Sequence, residues 1–408
     1  MPKTRGQTLR DDVLVGLDIG TTKICVLIAK TEKERDFELI GIGIDPSEGL
    51  NKGVITDIEK ASRVVRKALN KAEFDAGLKV RQSWVSIAGD HIQAQDSHGL
   101  VKIEKGDRII TVKDVEKVLE DASHLVLSPD REIIHVLPQE FLVDEQSRVK
   151  KPIGISAATL GVRAHIITAA STCRQNIENG VLQAGYECEG MVLQSLASAM
   201  ATLFPEEEDL GVALLDIGGG TTDLAIFLRE GMRYTTVLGV GGNHITNDIA
   251  VGFHTTRAKA EDIKVRYGSA SLSCLDTDEK IEVERVAGRE TYIASGEELV
   301  EVIQPRVEEM FELVDRELKK SGYKDLITAG VVLTGGCSLL RGIKEVSEKK
   351  LGLPTRIGYT RIKEPKEFTS PIYATAVGLI LYGIKKREES VSKDKLGVRI
   401  KEWLKEFF

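Results

Sequence analysis

The chain has 408 residues, 42% hydrophobic and 29% charged, an ordinary composition for a globular protein of about two to four domains that excludes wholesale disorder. Its 56 Lys and Arg against 63 Asp and Glu give a net charge of −7, which is not the basic field of a nucleic-acid coat, so we expect no nucleic-acid partner. The five scattered cysteines disfavour a disulfide framework or a zinc site. Because the sequence shows no signal sequence and no long apolar run, we expect the protein to stay in the reducing cytoplasm.

Apolar strands and amphipathic helices alternate along the chain, the pattern of an α/β protein. In chain order, residues 13–20 (VLVGLDIG) predict a buried strand that enters a Gly-Thr turn, and residues 23–29 (KICVLIA) predict a second strand. Apolar residues at helical spacing then predict a helix from Asp57 to about Ala76.

Residues from about 80 to 162 break this alternation. The segment opens with the strand-like SWVSIAG, carries a short helix at about 112–125, and contains two proline-bearing stretches. Alternation resumes with the strand-like residues 164–171 (AHIITAAS). The pattern therefore predicts a compact module inserted into a larger domain.

A second strand-turn unit repeats the first about 200 residues later. After helices predicted at about 172–185 and 195–203, residues 211–227 (GVALLDIGGGTTDLAIF) again run from an apolar strand through Asp-Ile-Gly and Gly-Thr residues into another apolar strand. Two copies of one hairpin indicate two similar domains that face each other across a cleft.

The two Gly-Thr turns have the composition of phosphate-binding loops. Glycines let the backbone approach a ligand closely, and successive backbone N–H groups in such turns form a concavity for anions. Asp18 and Asp216 end the preceding strands, where a carboxylate would lie beside a hydrated Mg²⁺. The turn residues are Gly20, Gly218, Gly219, Gly220, Thr21, Thr22, Thr221 and Thr222.

Each turn alone is equally typical of an ordinary connection between strands. Two copies with matching Asp, Gly and Thr favour the nucleotide interpretation, and neither the P-loop pattern nor G-x-G-x-x-G occurs. A third loop at 329–346 joins an apolar strand, Gly335-Gly336, and Ser338 near the start of a helix. Its glycine pair would let a flat purine pack on the backbone, although a strand followed by Gly-Gly is by itself a common turn.

Three such loops in this order resemble those of the actin-like ATPase superfamily, which includes actin, sugar kinases and chaperone ATPases. Within it, nearly the whole chain resembles the FtsA family of bacterial cell-division proteins. The stretches that carry the resemblance are 210–227, 242–253, 260–268, 302–314, 330–336 and 369–383.

The resemblance implies an α/β actin-like ATPase fold, with two facing domains around a nucleotide cleft and an inserted α+β subdomain. The implied bounds are 12–80, 164–194 and 365–386 for domain 1A, 81–163 for the inserted subdomain 1C, 195–241 and 299–364 for domain 2A, 242–298 for subdomain 2B, 387–395 for a linker and 396–408 for an amphipathic membrane-targeting helix.

The same resemblance implies that ATP and Mg²⁺ bind between the two halves. The matching residues are Asp18, Gly20, Thr21, Thr22 and Lys23 for the first phosphate loop, Asp216, Gly218, Gly219, Gly220, Thr221 and Thr222 for the second, Glu261 and Lys264 facing the adenosine, and Gly335, Gly336 and Ser338 for the adenosine loop. Asp18 and Asp216 would hold the Mg²⁺ through water.

The sequence departs from the superfamily pattern where the attacking water is positioned. In chaperone-type relatives a Glu opens the corresponding helix, whereas MVLQSLASAMA places Gln194 there. A Gln orients water by hydrogen bonding but is a poor base, so slow ATP hydrolysis at most is expected. Gln194 can equally be interpreted as a plain residue at the N-terminus of a helix. Asp223 can be interpreted either as a third carboxylate of the cleft or as a turn residue.

Beyond Lys385 the chain becomes charged and serine-bearing, typical of a solvated linker. At about 100° per residue, KLGVRIKEWLKEFF then predicts a helix with one apolar stripe, which resembles the membrane-targeting helix of the FtsA family. With five basic and three acidic residues from Lys393 onward, apolar burial rather than charge dominates its attraction to anionic lipid. The alternative is a helix docked on the protein's own core. The predicted membrane residues are Leu396, Ile400, Trp403, Leu404, Phe407 and Phe408.

The FtsA resemblance implies a protein that polymerises on the cytoplasmic face of the inner membrane at the division site and anchors the FtsZ ring there. Residues 242–298 would bind the FtsZ C-terminal tail, and the inserted subdomain would recruit later division proteins. Two alternatives stay open. A pilus-assembly adaptor such as PilM shares the loops and a similar insertion but lacks the lipid-binding tail, and a small-molecule kinase would need a catalytic Asp and a sugar pocket that the sequence does not reveal.

Overall fold

The computed structural model describes residues 12–31, 37–104, 106, 108–145, 147–229, 231–275, 280–286, 291–362 and 365–388. Residues 389–395 of the predicted linker and the whole predicted membrane helix at 396–408 lie outside the described residues. In the described part, no helix has both the length and the apolar composition needed to cross a bilayer.

Strands and helices alternate through the described residues. The strands are β1 (Val13–Ile19), β2 (Lys23–Thr31), β3 (Phe37–Pro46), β4 (Leu50–Asn51), β5 (Val54–Ile55), β6 (Gln82–Ile87), β7 (Gln93–Lys102), β8 (Arg131–Val143), β9 (Ser147–Val149), β10 (Thr159–Ala170), β11 (Glu187–Leu193), β12 (Val212–Ile217), β13 (Thr222–Leu228), β14 (Gly231–Leu238), β15 (Lys280–Val283), β16 (Tyr292–Ser295), β17 (Gly330–Thr334) and β18 (Thr355–Ile357). The helices are α1 (Ile58–Ala76), α2 (Val112–Ser123), α3 (Ser171–Gln183), α4 (Gln194–Thr202), α5 (Pro205–Leu210), α6 (Gly242–Gly252), α7 (Arg257–Tyr267), α8 (Gly296–Ser321), α9 (Ile343–Leu351) and α10 (374–388). Short 3-10 turns occupy Leu272–Cys274, Lys324–Leu326, Gly336–Leu339, Lys366–Thr369 and Pro371–Tyr373.

A five-stranded sheet in the order β11-β6-β1-β2-β3 forms the first domain. Its antiparallel β1–β2 hairpin is a continuous apolar run because both faces are covered: Leu17 packs toward α1, whereas Leu14 packs toward α10. The Asp57 side chain accepts a hydrogen bond from the Lys60 amide and caps α1, and Gly77 ends the helix in the left-handed conformation at φ 64°. The predicted hairpin and the predicted helix are both confirmed.

The second domain repeats the hairpin in a sheet of order β14-β13-β12-β17-β18. In the first hairpin Asp18 pairs with Cys25, and in the second Asp216 pairs with Asp223, which is the same register. Helices α6, α8 and α9 contribute buried apolar residues to a core on this sheet. The internal repeat and the two-domain α/β class predicted from sequence are confirmed.

The inserted module forms a separate four-stranded sheet in the order β7-β10-β8-β9. Helix α2 covers it through Val118 and Ala122, which pack in a core of the module's own. The predicted start at residue 81 is too early, because β6 pairs in parallel with β1 in the first sheet. The strand-like SWVSIAG therefore belongs to the first domain, and β10 carries the module's sheet to Ala170.

Helices α4 and α10 approach each other closely at Gly378. A Cβ added there would lie 1.8 Å from the carbonyl oxygen of Ala197. Because the obstructing atoms are backbone, Gly378→Ala must push the helices apart, and we expect it to lower the free energy of unfolding by about 3 kcal/mol. Urea denaturation measures this loss.

Gly180→Ala in α3 is the matched control for this substitution. Its new Cβ would meet only the Cδ1 of Ile55, at an ordinary 3.5 Å, so the variant should gain about 0.5–1 kcal/mol from helix propensity. Equal stability of the two variants would contradict the tight contact at Gly378.

Candidate nucleotide-binding site

A cavity of about 610 Å³ lies between the two domains. The turns of both hairpins, the loop after β17, helix α7 and the start of α4 contribute to its walls. The predicted residues that line it are Asp18, Gly20, Thr21, Thr22, Lys23, Gln194, Asp216, Gly218, Gly219, Gly220, Thr221, Glu261, Lys264, Gly335 and Gly336. Residues chosen from five separated segments of the sequence thus meet in one place.

Thr222 and Ser338, both predicted to bind nucleotide, do not line the cavity. The Thr222 hydroxyl donates to the carbonyl oxygen of Val240 at 2.8 Å, and the Ser338 hydroxyl donates to that of Gly335 at 2.7 Å. Both side chains are buried. They hold the loops in shape, and the prediction that they face the ligand is corrected.

The tips of the two hairpins face each other across the cavity. A Cβ at Gly219 would lie 1.8 Å from Thr22 Oγ1, and one at Gly220 would lie 2.8 Å from Thr21 Oγ1. The amides of Gly242 and Asn243, at the start of α6, donate to the carbonyls of Gly218 and Gly219 at 2.9 and 2.8 Å. These bonds fix the second turn, and the missing side chains allow the two halves to come together.

The buried carboxylates Asp18 and Asp216 end the first strand of each hairpin. Asp18 accepts from the Ser86 hydroxyl at 2.9 Å, and burial raises its pKa to about 6, although the Lys23 cation lowers it. Asp216 accepts from the Ser198 hydroxyl at 2.6 Å, and burial raises its pKa as well. A cation would offset the cost of holding two charged oxygens away from water.

This donor set fits a hydrated Mg²⁺, which keeps several of its waters and uses one or two carboxylates. Across the described ranges, no cluster of three or more His, Cys, Asp or Glu side chains could enclose a metal ion. Binding through water, with Asp18 and Asp216 as acceptors, is therefore the arrangement that these residues would support.

Asp223 lies in β13, directly opposite Asp216, and is fully buried. Its Oδ2 accepts from the Thr221 hydroxyl at 3.1 Å, whereas its Oδ1 has no hydrogen-bond partner among the described residues. Burial, followed by repulsion from Asp216, raises its pKa to about 8. Asp223 is thus neither a turn residue nor a cavity-lining carboxylate, but a buried acid behind the second turn.

The far end of the cavity is bounded by α7 and the loop after β17. Lys264 Nζ lies 2.8 Å from Glu261 Oε2 and donates to Thr246 Oγ1 at 2.9 Å. Gly335 adopts φ 81°, and its position against Asp216 leaves no room for a side chain. A slot between a fixed charged pair and bare backbone suits a planar base with hydrogen-bonding edges.

Gln194 is the first residue of α4, and its amide donates to Asp216 Oδ2 at 3.3 Å. It opens the helix, as one interpretation made from the sequence has it, and it also lines the cavity, where positioning of a water by Gln194 stays a prediction. Its contact with the carboxylate keeps the amide beside Asp216 at the wall of the cavity.

Sequence reasoning missed several residues of the site. Gly53, at the tip of the β4–β5 hairpin, lines the cavity and donates its amide to Thr21 Oγ1 at 2.9 Å. Thr375, at the start of α10, donates to Asp216 Oδ2 at 3.3 Å. The Asn51-Lys52-Gly53 turn and the Gly-Gly-Asn that opens α6 are local signals that could have indicated Gly53 and Asn243.

The fold and the facing hairpins define a protein of the actin-like class. Among solved structures, the PilM–PilN type IV pilus biogenesis complex is similar with a TM-score of 0.65 at 17% identity, covering 91% of this chain and 98% of that one. MreB5 of Spiroplasma citri bound to ADP has a TM-score of 0.57 at 17% identity, and the match covers 93% of this chain and 99% of that one. The MamK double helical filament has a TM-score of 0.51 at 12% identity, covering 90% and 98%. At these identities the likeness is one of fold.

Family comparisons are more specific. The family described as "Cell division protein FtsA" matches residues 213–378, and "SHS2 domain inserted in FTSA" matches residues 89–168. The cell division protein FtsA of Pseudomonas aeruginosa is 40% identical over 94% of this chain and 92% of its own length. The cell division protein FtsA of Escherichia coli K12 is 34% identical over 91% of this chain and 90% of its own length. The chain therefore belongs to the FtsA family of cell-division proteins, which decides against the kinase and pilus-adaptor alternatives.

Proposed function

We propose that this cell-division protein binds ATP with Mg²⁺ in the cleft, assembles with itself on the cytoplasmic face of the inner membrane, and anchors the FtsZ ring there. The observation that carries the proposal is the cavity between two hairpins of the same register, lined by glycines, threonines and two buried carboxylates. Support for a nucleotide comes from MreB5, whose structure with ADP shares the fold, and support for self-assembly comes from the MamK filament.

Each wall of the cleft has a role in this proposal. The amides of Gly219 and Gly220, which donate no hydrogen bond within the described residues, and the threonine hydroxyls bind phosphate oxygens. Asp18 and Asp216 accept from the waters of Mg²⁺, which offsets phosphate charge when bound. Glu261, Lys264 and the Gly335-Gly336 backbone hold the adenosine.

Hydrolysis in this site is slow. Gln194 orients a water by hydrogen bonding, but its side-chain amide does not accept a proton from that water at neutral pH. ATP binding therefore acts chiefly by drawing the two hairpin tips together, because a ligand that contacts both halves favours the closed cleft. The closed subunit is the form that polymerises.

Membrane attachment is assigned to residues 396–408 on the basis of their sequence. Burial of the apolar stripe of Leu396, Ile400, Trp403, Leu404 and Phe407 in the lipid interface supplies the affinity. One such helix binds reversibly, and a polymer that presents many copies binds far longer through avidity.

Two further partners complete the proposal. Residues 242–298 bind the C-terminal tail of FtsZ, and the inserted subdomain recruits later division proteins. The family assignment supports a role among division proteins. The inserted subdomain has its own sheet and core, so it can present a surface of its own to a partner.

The test is sedimentation of the full chain with anionic liposomes, with and without ATP and Mg²⁺, in the presence of a peptide of the FtsZ C-terminal tail. We expect nucleotide-dependent assembly on the liposomes and capture of the peptide. Lipid binding without peptide capture would overturn the FtsZ assignment alone.

Deletion of Lys395–Phe408 separates anchoring from nucleotide binding. The truncated protein should stay in the supernatant with liposomes while it binds a fluorescent ATP analogue with unchanged affinity, because the described cleft contains none of the deleted residues. Continued sedimentation with lipid after the deletion would overturn the membrane assignment.

A further inference from the structure

One histidine of the inserted subdomain reaches out of that subdomain to the first domain. His135 lies in β8 and is buried, and its Nε2 accepts a hydrogen bond from the backbone amide of Leu193 at 3.0 Å. Leu193 is the last residue of β11 and immediately precedes α4. The contact therefore joins the insertion to the starting point of a helix in the body of the protein.

Helix α4 is the element that surrounds Asp216 with donors. Gln194, its first residue, donates to Asp216 Oδ2 at 3.3 Å, and Ser198, one turn later, donates to the same oxygen at 2.6 Å. The helix has no side-chain cap of its own at Leu193. The position of its first turn depends on what holds the Leu193 amide, and that group is His135.

The protonation state of the His135 imidazole suits its role as a hydrogen-bond acceptor. An acceptor at Nε2 must be unprotonated, and burial, assisted by the Lys386 cation, lowers the pKa of His135 to about 4. The ring also packs against Tyr382 of α10, with 5.9 Å between ring centroids. Helix α10 begins with a further donor to Asp216, from Thr375. His135 thus lies between the two helices that reach this carboxylate.

We propose that His135 is a positioning residue for the nucleotide site, which from the inserted subdomain holds the start of α4 and thereby sets Gln194 and Ser198 around Asp216. The inference rests on the proposed binding of Mg²⁺ and ATP in the cleft. It makes the inserted subdomain part of the support of that site, so a displacement of β8 changes the affinity for nucleotide.

A purely structural histidine would behave differently. It would contribute to the stability of the junction, and its loss would lower the melting temperature without affecting the nucleotide. His165 provides the matched comparison, because it is equally buried, lies on the neighbouring strand β10, and pairs with Asp96 at 2.8 Å rather than with α4.

The experiment uses the full chain with His135→Leu, His135→Gln and His165→Gln, and titrates a fluorescent ATP analogue at several Mg²⁺ concentrations. His135→Leu leaves the Leu193 amide without an acceptor and should weaken binding about 10-fold. His135→Gln carries an amide oxygen at similar reach, and should bind within about 3-fold of the wild type. His165→Gln should lose thermal stability but bind like the wild type.

Hydrogen exchange of the peptide that spans Leu193 and the start of α4 gives a second readout without any nucleotide. Exchange should accelerate in His135→Leu and not in His165→Gln. Wild-type binding and exchange in His135→Leu would overturn the role of His135 alone. Absence of binding by the wild type would overturn the proposed nucleotide function, and with it this inference.

Discussion

Alanine at Gly335 should weaken nucleotide binding by roughly 100- to 1,000-fold. Gly335 has φ 81°, a conformation that a side chain disfavours, and an added Cβ would lie 2.4 Å from Asp216 Oδ1 and 2.6 Å from the carbonyl oxygen of Ile217. Because one of these atoms is backbone, the loop must move, and it moves away from the carboxylate at the centre of the site. Titration with a fluorescent ATP analogue measures the loss, and thermal melting should show a lower melting temperature.

Gly336 supplies the matched control one residue away. A Cβ there would meet only Ile372 Cγ2, at 3.9 Å, so Gly336→Ala should melt like the wild type. Its methyl group enters the cavity where a purine is expected to pack on the backbone, and binding should weaken about 10-fold. Wild-type affinity in Gly335→Ala would remove this loop from the site, and wild-type affinity in Gly336→Ala would place the base elsewhere.

The parts of the site that the sequence predicts correctly are those set by local structure. An apolar strand, a Gly-Thr turn and a second apolar strand form a hairpin whichever domain contains them, and matching spacing gives the two hairpins the same register at Asp18 and Asp216. A repeat in sequence therefore becomes a repeat in space, and the cavity lies between its copies.

The residues that prediction missed come from contacts distant in sequence. Thr375 reaches Asp216 across 159 positions, and Gly53 reaches Thr21 from another hairpin. Nothing local distinguishes Thr375 from a threonine at any other helix start, and the Asn51-Lys52-Gly53 turn indicates a loop without showing which residue it will meet. The same limit explains the misplaced start of the insertion, because the pairing of β6 with β1 is not visible in the pattern of β6 itself.

The other wrong prediction concerned the direction in which two side-chain hydroxyls point. Thr222 and Ser338 have the right residue type in the right loop, but each donates to a nearby carbonyl. Ser and Thr readily bond to neighbouring backbone, and the sequence does not tell which of two acceptors a hydroxyl will choose. Both residues shape the site without touching its contents.

Asp223→Asn should stabilise the nucleotide-free protein, by an amount that grows with pH. In the folded chain the Asp223 carboxyl keeps its proton up to a pKa of about 8, against an ordinary value of 3.8. Between these values the folded state holds a proton that the unfolded state has lost, so the free energy of unfolding falls as pH rises. From pH 5 to pH 8 the loss attributable to this residue is about 4 kcal/mol, at 1.36 kcal/mol for each pKa unit.

An asparagine at this position keeps an oxygen for the Thr221 hydroxyl and has no charge to bury. The free energy of unfolding of the variant therefore does not fall with pH on account of this residue. Urea denaturation of both proteins at pH 5, 6.5 and 8, without Mg²⁺ and nucleotide, should give stabilities that already differ by about 1.6 kcal/mol at pH 5, which lies above the ordinary pKa of 3.8, and that diverge further toward pH 8. Asp216 and Asp18 both repel the charged form of Asp223, so the difference between the two proteins includes this coupling. A difference that stays constant across this range would mean that Asp223 is ionised in the fold, with a cation or a moved side chain beside its unpartnered oxygen.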